Sequence, residues 1–241
     1  MRLVTATALV TLLALSGPPA FAQSLDEGVS ALQRRDFETA LQHFEPLAEQ
    51  GYATAQISLG EMYYNGAGVT QNYSEAVSWF RRAAEQGYAV AQQRLGFMYA
   101  NGRGVAQNHL AAVTWYRRAA EKGGVDAQYD LGEMYRKGKG ITQNYQEAVS
   151  WHRRAAEQGN ADAQMTLGSM YTQGQGVSSN FVLAYVLENL AAAQGHETAL
   201  KMRDIIREGL TSEQISAGQR LASEWQVGTP LPTSSDVTTW P

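Results

Sequence analysis

Histidine is the side chain best suited to trade protons near neutral pH, and the chain has four: His43, His109, His152 and His196. None pairs with another at the four-residue spacing that sets two ligands on one helical face. The absence of cysteine removes every mixed zinc set. No Gly-x-Ser-x-Gly, Ser-x-x-Lys or His-Glu-x-x-His occurs, so serine, lactam and zinc hydrolysis have no signature here. Gly-x-Gly doublets at Gly66/Gly68, Gly102/Gly104, Gly138/Gly140 and Gly174/Gly176 could offer backbone N–H groups to a phosphate. They lack a following Lys-Ser/Thr, and doublets repeated in every segment read as helix terminators. Arginine pairs at Arg81-Arg82, Arg117-Arg118 and Arg153-Arg154 form a basic row. Glu85, Glu121 and Glu157 follow three or four residues on, within ion-pair reach along a helix. The row reads as a solvated face, with a track for an anionic polymer as the sharper alternative. No catalytic, cofactor or metal residue is assigned, and the chain reads as a non-enzyme.

These groups recur because the chain repeats itself. Leu-Gly stands at Leu59-Gly60, Leu95-Gly96, Leu131-Gly132 and Leu167-Gly168, a step of 36 residues. Asn72, Asn108, Asn144 and Asn180 keep the step, as do Trp79, Trp115 and Trp151, the Ala pairs from Ala83-Ala84 to Ala191-Ala192, and the closing Gly87, Gly123, Gly159 and Gly195. Each unit predicts two helices. The first, about Ala53 to Asn65, places Gln56, Leu59, Gly60 and Tyr63 on one face, and its glycine lets the partner helix approach closely. The second starts at Asn72, with Glu75 as the other half of a capping box that Asn144 and Glu147 repeat; it buries Ala76, Phe80 and Ala83. One helical pair cannot hide its own apolar stripe, so neighbouring pairs must stack into a superhelix with an inner and an outer surface.

The combination Ala-x-x-x-Leu-Gly-x-x-Tyr-x-x-Gly-x-Gly-Val, then Asn-x-x-x-Ala-x-x-Trp, then Ala-Ala-x-x-Gly, as in Ala55 to Gly87, resembles the Sel-one-like repeat (SLR), a relative of the tetratricopeptide repeat (TPR). The resemblance covers about residues 24–195. It implies an all-α fold: an α-solenoid, a right-handed superhelix of antiparallel TPR/SLR-like helix pairs. Residues 23–51 lack the four-residue Gly-x-Gly extension and look like a TPR-like N-terminal capping unit, and four Sel-one-like repeats follow over 52–195. The fourth has lost Trp and gained apolar surface along Asn180 to Leu187. Helices near Glu197–Arg207 and Ser212–Gln226, with a Thr211/Gln214 capping box, supply a C-terminal cap over 196–227. Ile205, Ile206, Leu210, Ile215, Leu221 and Trp225 are available to close the array. Pro230, Pro232 and the Ser/Thr-rich remainder predict a disordered tail over 228–241.

The ends and the charge set the compartment and the partner class. Arg2, the uncharged run Leu3–Leu15, the breaker Gly17-Pro18-Pro19 and the small residues of Ala20-Phe21-Ala22 form a secretory signal over 1–22, cleaved between Ala22 and Gln23. The protein is thus expected to be periplasmic or secreted, without membrane insertion after cleavage, and monomeric. A net charge of −4 gives no case for nucleic acid. In the resembling superhelices partners lie along the first helix of each unit, on the concave side, where function belongs at positions that the units do not share. These are Thr54, Ile57, Glu61 and Tyr64; Val90, Gln93, Phe97 and Ala100; Asp126, Tyr129, Glu133 and Arg136; Asp162, Met165, Ser169 and Thr172. Tyr64, Phe97, Tyr129 and Met165 are the apolar anchors. Glu61, Asp126, Glu133 and Asp162 make the groove acidic and suited to a peptide carrying Lys or Arg. The expected function is a protein–protein interaction scaffold or regulator of the cell envelope. The alternative is a cell-wall-acting or β-lactam-binding hydrolase using His109 and Glu133.

Overall fold

A computed structural model of the chain describes residues 19–238. Residues 1–18 of the expected signal segment lie outside the described residues, and residues 19–22 open the first helix. The chain runs α1 (Pro19–Gln33), α2 (Phe37–Glu49), α3 (Ala53–Asn65), α4 (Tyr73–Glu85), α5 (Ala89–Asn101), α6 (His109–Glu121), α7 (Val125–Lys137), α8 (Tyr145–Glu157), α9 (Ala161–Gln173), α10 (Phe181–Ala193), α11 (Glu197–Glu208), α12 (Ser212–Glu224) and α13 (Ser234–Thr238). No strand occurs among the described residues, and the all-α repeat of helix pairs is the expected solenoid class. The chain divides into two compact units, one to Asn108 and one from His109. In the first, α1 through α5 pack each on the next; in the second, α6 through α10 do so, and α10 also carries α11, α12 and α13.

From α2 to α10 every helix has 13 residues. Helices of that length are marginal alone in water, so packing must hold them. Three devices recur at the 36-residue step. First, the mid-helix glycine seats a side chain, not a backbone: Phe80 lies on Gly60, His152 on Gly132 and Glu188 on Gly168, so close that a Cβ would stand 2.5, 2.8 and 2.9 Å from their atoms. Second, a buried glutamine on each first helix reaches back to the preceding one. Gln56 Nε2 donates to the Ala48 carbonyl at 3.0 Å and its Oε1 accepts from Gln86; Gln128 and Gln164 repeat this with Ala120 and Gln158, and with Ala156 and Gln194. Third, the two glycines of each doublet do different work. Gly66 is a left-handed cap at φ 69°; Gly104 is also left-handed at φ 68°, and a Cβ on it would stand 2.2 Å from the Tyr73 carbonyl, so the second glycine also lets the loop touch the unit before it.

The asparagine caps form, but the capping boxes at Asn72/Glu75 and Asn144/Glu147 do not close. The asparagine oxygens accept from Glu75 and Glu147 N–H, while those exposed carboxylates stay in water. Thr211 and Gln214 complete both halves. In the C-terminal cap Ile206 is buried, and Leu210, Ile215, Leu221 and Trp225 pack on the core; Ile205 is instead exposed, because its neighbour takes the inward helical face. The expected disorder after Val227 also gives way. Gly228 N–H donates to the Glu157 carbonyl at 2.7 Å, Leu231 N–H to Glu157 Oε1 at 3.2 Å, and the Leu231 side chain is 3% exposed among Tyr185, Val186 and their neighbours. Apolar surface on α10 finds its cover in this segment.

Candidate protein-interaction site

The second helices are spent on the scaffold. Arg81 donates to the Tyr99 hydroxyl at 2.9 Å, Arg117 to Tyr135 at 2.9 Å and Arg153 to Tyr171 at 2.5 Å. Arg82, Arg118 and Arg154 lie over the rings of Trp79, Trp115 and Trp151 at 4.6, 4.7 and 4.5 Å. The expected pairs with Glu85, Glu121 and Glu157 do not form among the described residues. A planar guanidinium gains more from a half-buried phenol or an indole face than from an exposed carboxylate.

What is left to vary lies on the first helices, and the structure gathers part of it into two clusters. In the first unit Tyr64, Tyr73 and Phe97 come together, with Tyr64 ring centroids 5.3 Å from Tyr73 and 6.3 Å from Phe97. The Arg103 side chain stands among them, and beside them Glu61 pairs with Arg94 at 2.5 Å. In the second unit Tyr129, Glu133 and Arg136 meet around His152. Arg136 grips both Glu133 oxygens at 2.6 and 2.9 Å, and Lys137 also pairs with that carboxylate. The fully buried His152 ring lies 5.4 Å from Tyr129, with Nε2 3.4 Å from Glu133 Oε1. Burial pushes the Glu133 carboxyl up, but the His152 ring beside it and the paired Arg136 and Lys137 outweigh it and hold it well below the usual range. Burial first, and the Glu133 charge second, push the Tyr129 phenol up to about 12.

The other expected residues stand apart. Ile57 is 8% exposed and belongs to the core, and Met165 packs on Ala191, Ala192 and Ala199 under the cap. Thr54, Val90, Gln93, Ala100 and Thr172 are half-buried; Asp126 is exposed near Asn160, and Asp162 sits 3.1 Å from His196. Ser169 accepts from Gln173. The expected acidity is therefore corrected: Glu61 is matched by one cation and Glu133 by two, so neither cluster presents a free carboxylate. Arg136 and Lys137 stand three and four residues after Glu133 on the same helix, whereas Arg94 reaches Glu61 from the next repeat's first helix.

The hydrolase residues do not assemble. The histidine beside Glu133 is His152, and it is sealed in the core. Ser24 Oγ does lie 3.0 Å from His43 Nδ1, with Glu27 3.5 Å from Nε2, beside a hollow of about 610 Å³. Ser24 sits within α1 beyond its first turn, where backbone N–H groups serve the helix ladder and are not offered to a substrate. No group of three or more His, Asp or Glu able to hold a metal occurs among the described residues, and none of their helices is long and apolar enough to cross a membrane.

The Sel1 repeat pattern matches the chain five times, over residues 24–52, 53–88, 89–124, 125–160 and 161–196, so the shortened N-terminal unit counts as a repeat. Comparison with curated proteins gives no match. Among solved structures, a protective antigen of uropathogenic Escherichia coli strains displaying an SLR fold is 36% identical with a TM-score of 0.74, over 78% of this chain and 40% of the antigen. The chain thus spans well under half of that protein. A Sel1 repeat protein of Oxalobacter formigenes is 32% identical with a TM-score of 0.68, over 87% of this chain and 79% of its own. A Klebsiella pneumoniae structure at 21% identity and a TM-score of 0.52 shares the fold.

Proposed function

Since the chain belongs to the Sel1 repeat family, whose members are generally protein-interaction scaffolds, we propose that it binds a protein or peptide of the cell envelope along the first helices of its repeats. One observation carries the reading. The residues shared by the repeats are consumed in holding helix to helix, as the glutamine and Arg–Tyr links show, whereas Tyr64, Phe97, Tyr129 and Arg136 differ between repeats and keep part of their surface open. Half-exposed aromatic and arginine side chains in clusters are what interface hot spots are made of. The role is non-catalytic, in keeping with the family. Export rests on Arg2, the apolar Leu3–Leu15 and the Ala20-Phe21-Ala22 motif, with release after Ala22.

Affinity capture from envelope extract tests the binding surface. Phe97→Ala combined with Tyr129→Ala is expected to reduce capture of a specific partner at least tenfold; undiminished capture would remove the first helices from consideration. N-terminal sequencing of the protein recovered from the cell exterior or periplasm should begin at Gln23, and an intact Met1 would overturn export by cleavage.

A further inference from the structure

We infer that the surface of the first unit receives a carboxylate of the partner, and that Arg103 is the group that takes it; the inference rests on the interaction reading above. Arg103 stands between Gly102 and Gly104 in the exposed turn after α5. Its guanidinium carbon lies 5.6 Å from the Tyr64 centroid, 5.6 Å from Tyr73 and 5.3 Å from Phe97, and Nη1 donates to the Tyr64 hydroxyl. Three rings from three helices, α3, α4 and α5, thus box one cation.

No carboxylate pairs with Arg103 among the described residues, although Arg94 close by on α5 holds Glu61. A guanidinium carries five N–H donors in a rigid fork. Arg103 is exposed, and its one side-chain hydrogen bond goes to Tyr64, so most of the fork is unclaimed by the described residues. A free arginine surrenders rotamer entropy when it is fixed by a ligand. Here the rings have fixed it beforehand, so a carboxylate meets a preorganised, charge-assisted pair of donors.

The fold does not ask for this cluster. At the position of Arg103 the other loops carry Ala67, Lys139 and Gln175, and at the position of Tyr64 the other first helices carry Ala100, Arg136 and Thr172. Those repeats close their loops without a boxed arginine, so the box serves something other than closure. In the second unit the Glu133 carboxylate is likewise met by two cations, Arg136 and Lys137. Charge complementarity therefore selects an acidic segment, in place of the basic peptide that the count of carboxylates suggested.

The test uses the purified chain against three immobilised pools of randomised decapeptides, one rich in Glu and Asp, one rich in Lys and Arg, and one uncharged. The acidic pool is expected to retain the protein, with retention falling as salt rises. Arg103→Gln, at an exposed loop position that leaves the core untouched, should weaken retention about tenfold, the loss of one charge-assisted pair. Arg103→Lys should restore part of it by keeping the charge without the fork. Preference for the basic or uncharged pool, or acidic retention equal in Arg103→Gln and the parent, overturns the inference while leaving a binding surface in place. Retention by no pool overturns the interaction reading itself, and the inference with it.

Discussion

Glu188 is the most exacting point in the second unit. It takes the position that Phe80, Tyr116 and His152 hold in earlier repeats, lies on Gly168 and is 0% exposed, and neither carboxyl oxygen has a hydrogen-bond partner. Burial alone pushes its carboxyl from 4.5 up to about 8. The folded chain therefore carries a neutral acid near neutral pH, while the unfolded chain releases the proton above 4.5. The group adds no pH-dependent cost below 4.5, and above it the cost grows by about 1.4 kcal/mol for each further pH unit until the group ionises in place near 8. At pH 7 the accumulated penalty is roughly 3 kcal/mol, an order-of-magnitude figure from that slope over two and a half units. Glu188→Gln keeps the shape and abolishes the titration. Urea denaturation of parent and variant, followed by circular dichroism at pH 5, 6, 7 and 8, cancels every other titrating group in the difference. Stability of Glu188→Gln relative to parent should climb by about 1 kcal/mol per unit across that range. A difference that stays flat within about 0.5 kcal/mol would refute the claim that this carboxyl is buried and protonated.

Gly132→Ala would drive a methyl to 2.8 Å from the His152 ring, and despite its helix propensity it should lower stability by about 1–3 kcal/mol in thermal melts. Gln128→Met removes the buried bond to the Ala120 carbonyl and the link to Gln158, for a loss of about 1–3 kcal/mol in denaturant titration. Leu231→Ala empties the seat of the C-terminal segment; a loss of about 2–3 kcal/mol should be accompanied by faster proteolysis after Trp225. Glu133→Gln should destabilise the chain at pH 7, and because the folded carboxyl is held low, the deficit against the parent should shrink as pH falls below 4.5.

The helix pairs were legible because a period of 36 residues with Leu-Gly, Gly-x-Gly and Asn in register admits few other arrangements. The role of the mid-helix glycine was legible in kind, but what it seats is a ring or a carboxyl. The links between repeats were harder to see. Gln56 and Gln86 recur at the period, yet their bond joins residues 30 apart, and Arg81 chooses Tyr99, 18 residues on, over Glu85 on its own helix. Sequence spacing favours local ion pairs; the folded chain favours half-buried partners, where a hydrogen bond is worth more. The variable positions were legible as a set, while their polarity was not. A count of Glu61, Asp126, Glu133 and Asp162 records charge without the Arg94, Arg136 and Lys137 that answer it. The tail misled by composition, since one leucine among prolines and threonines is enough when α10 offers it a hole.

Site-directed photo-crosslinking in intact cells tests the central claim most directly. A photoreactive residue at Val90 or Asp126, on the first helices and clear of both clusters, is compared with one at Ser78 or Ser150, exposed on the second helices. The account predicts a discrete adduct of the same partner from positions 90 and 126 and none from 78 and 150. Adducts confined to the second-helix positions would contradict it.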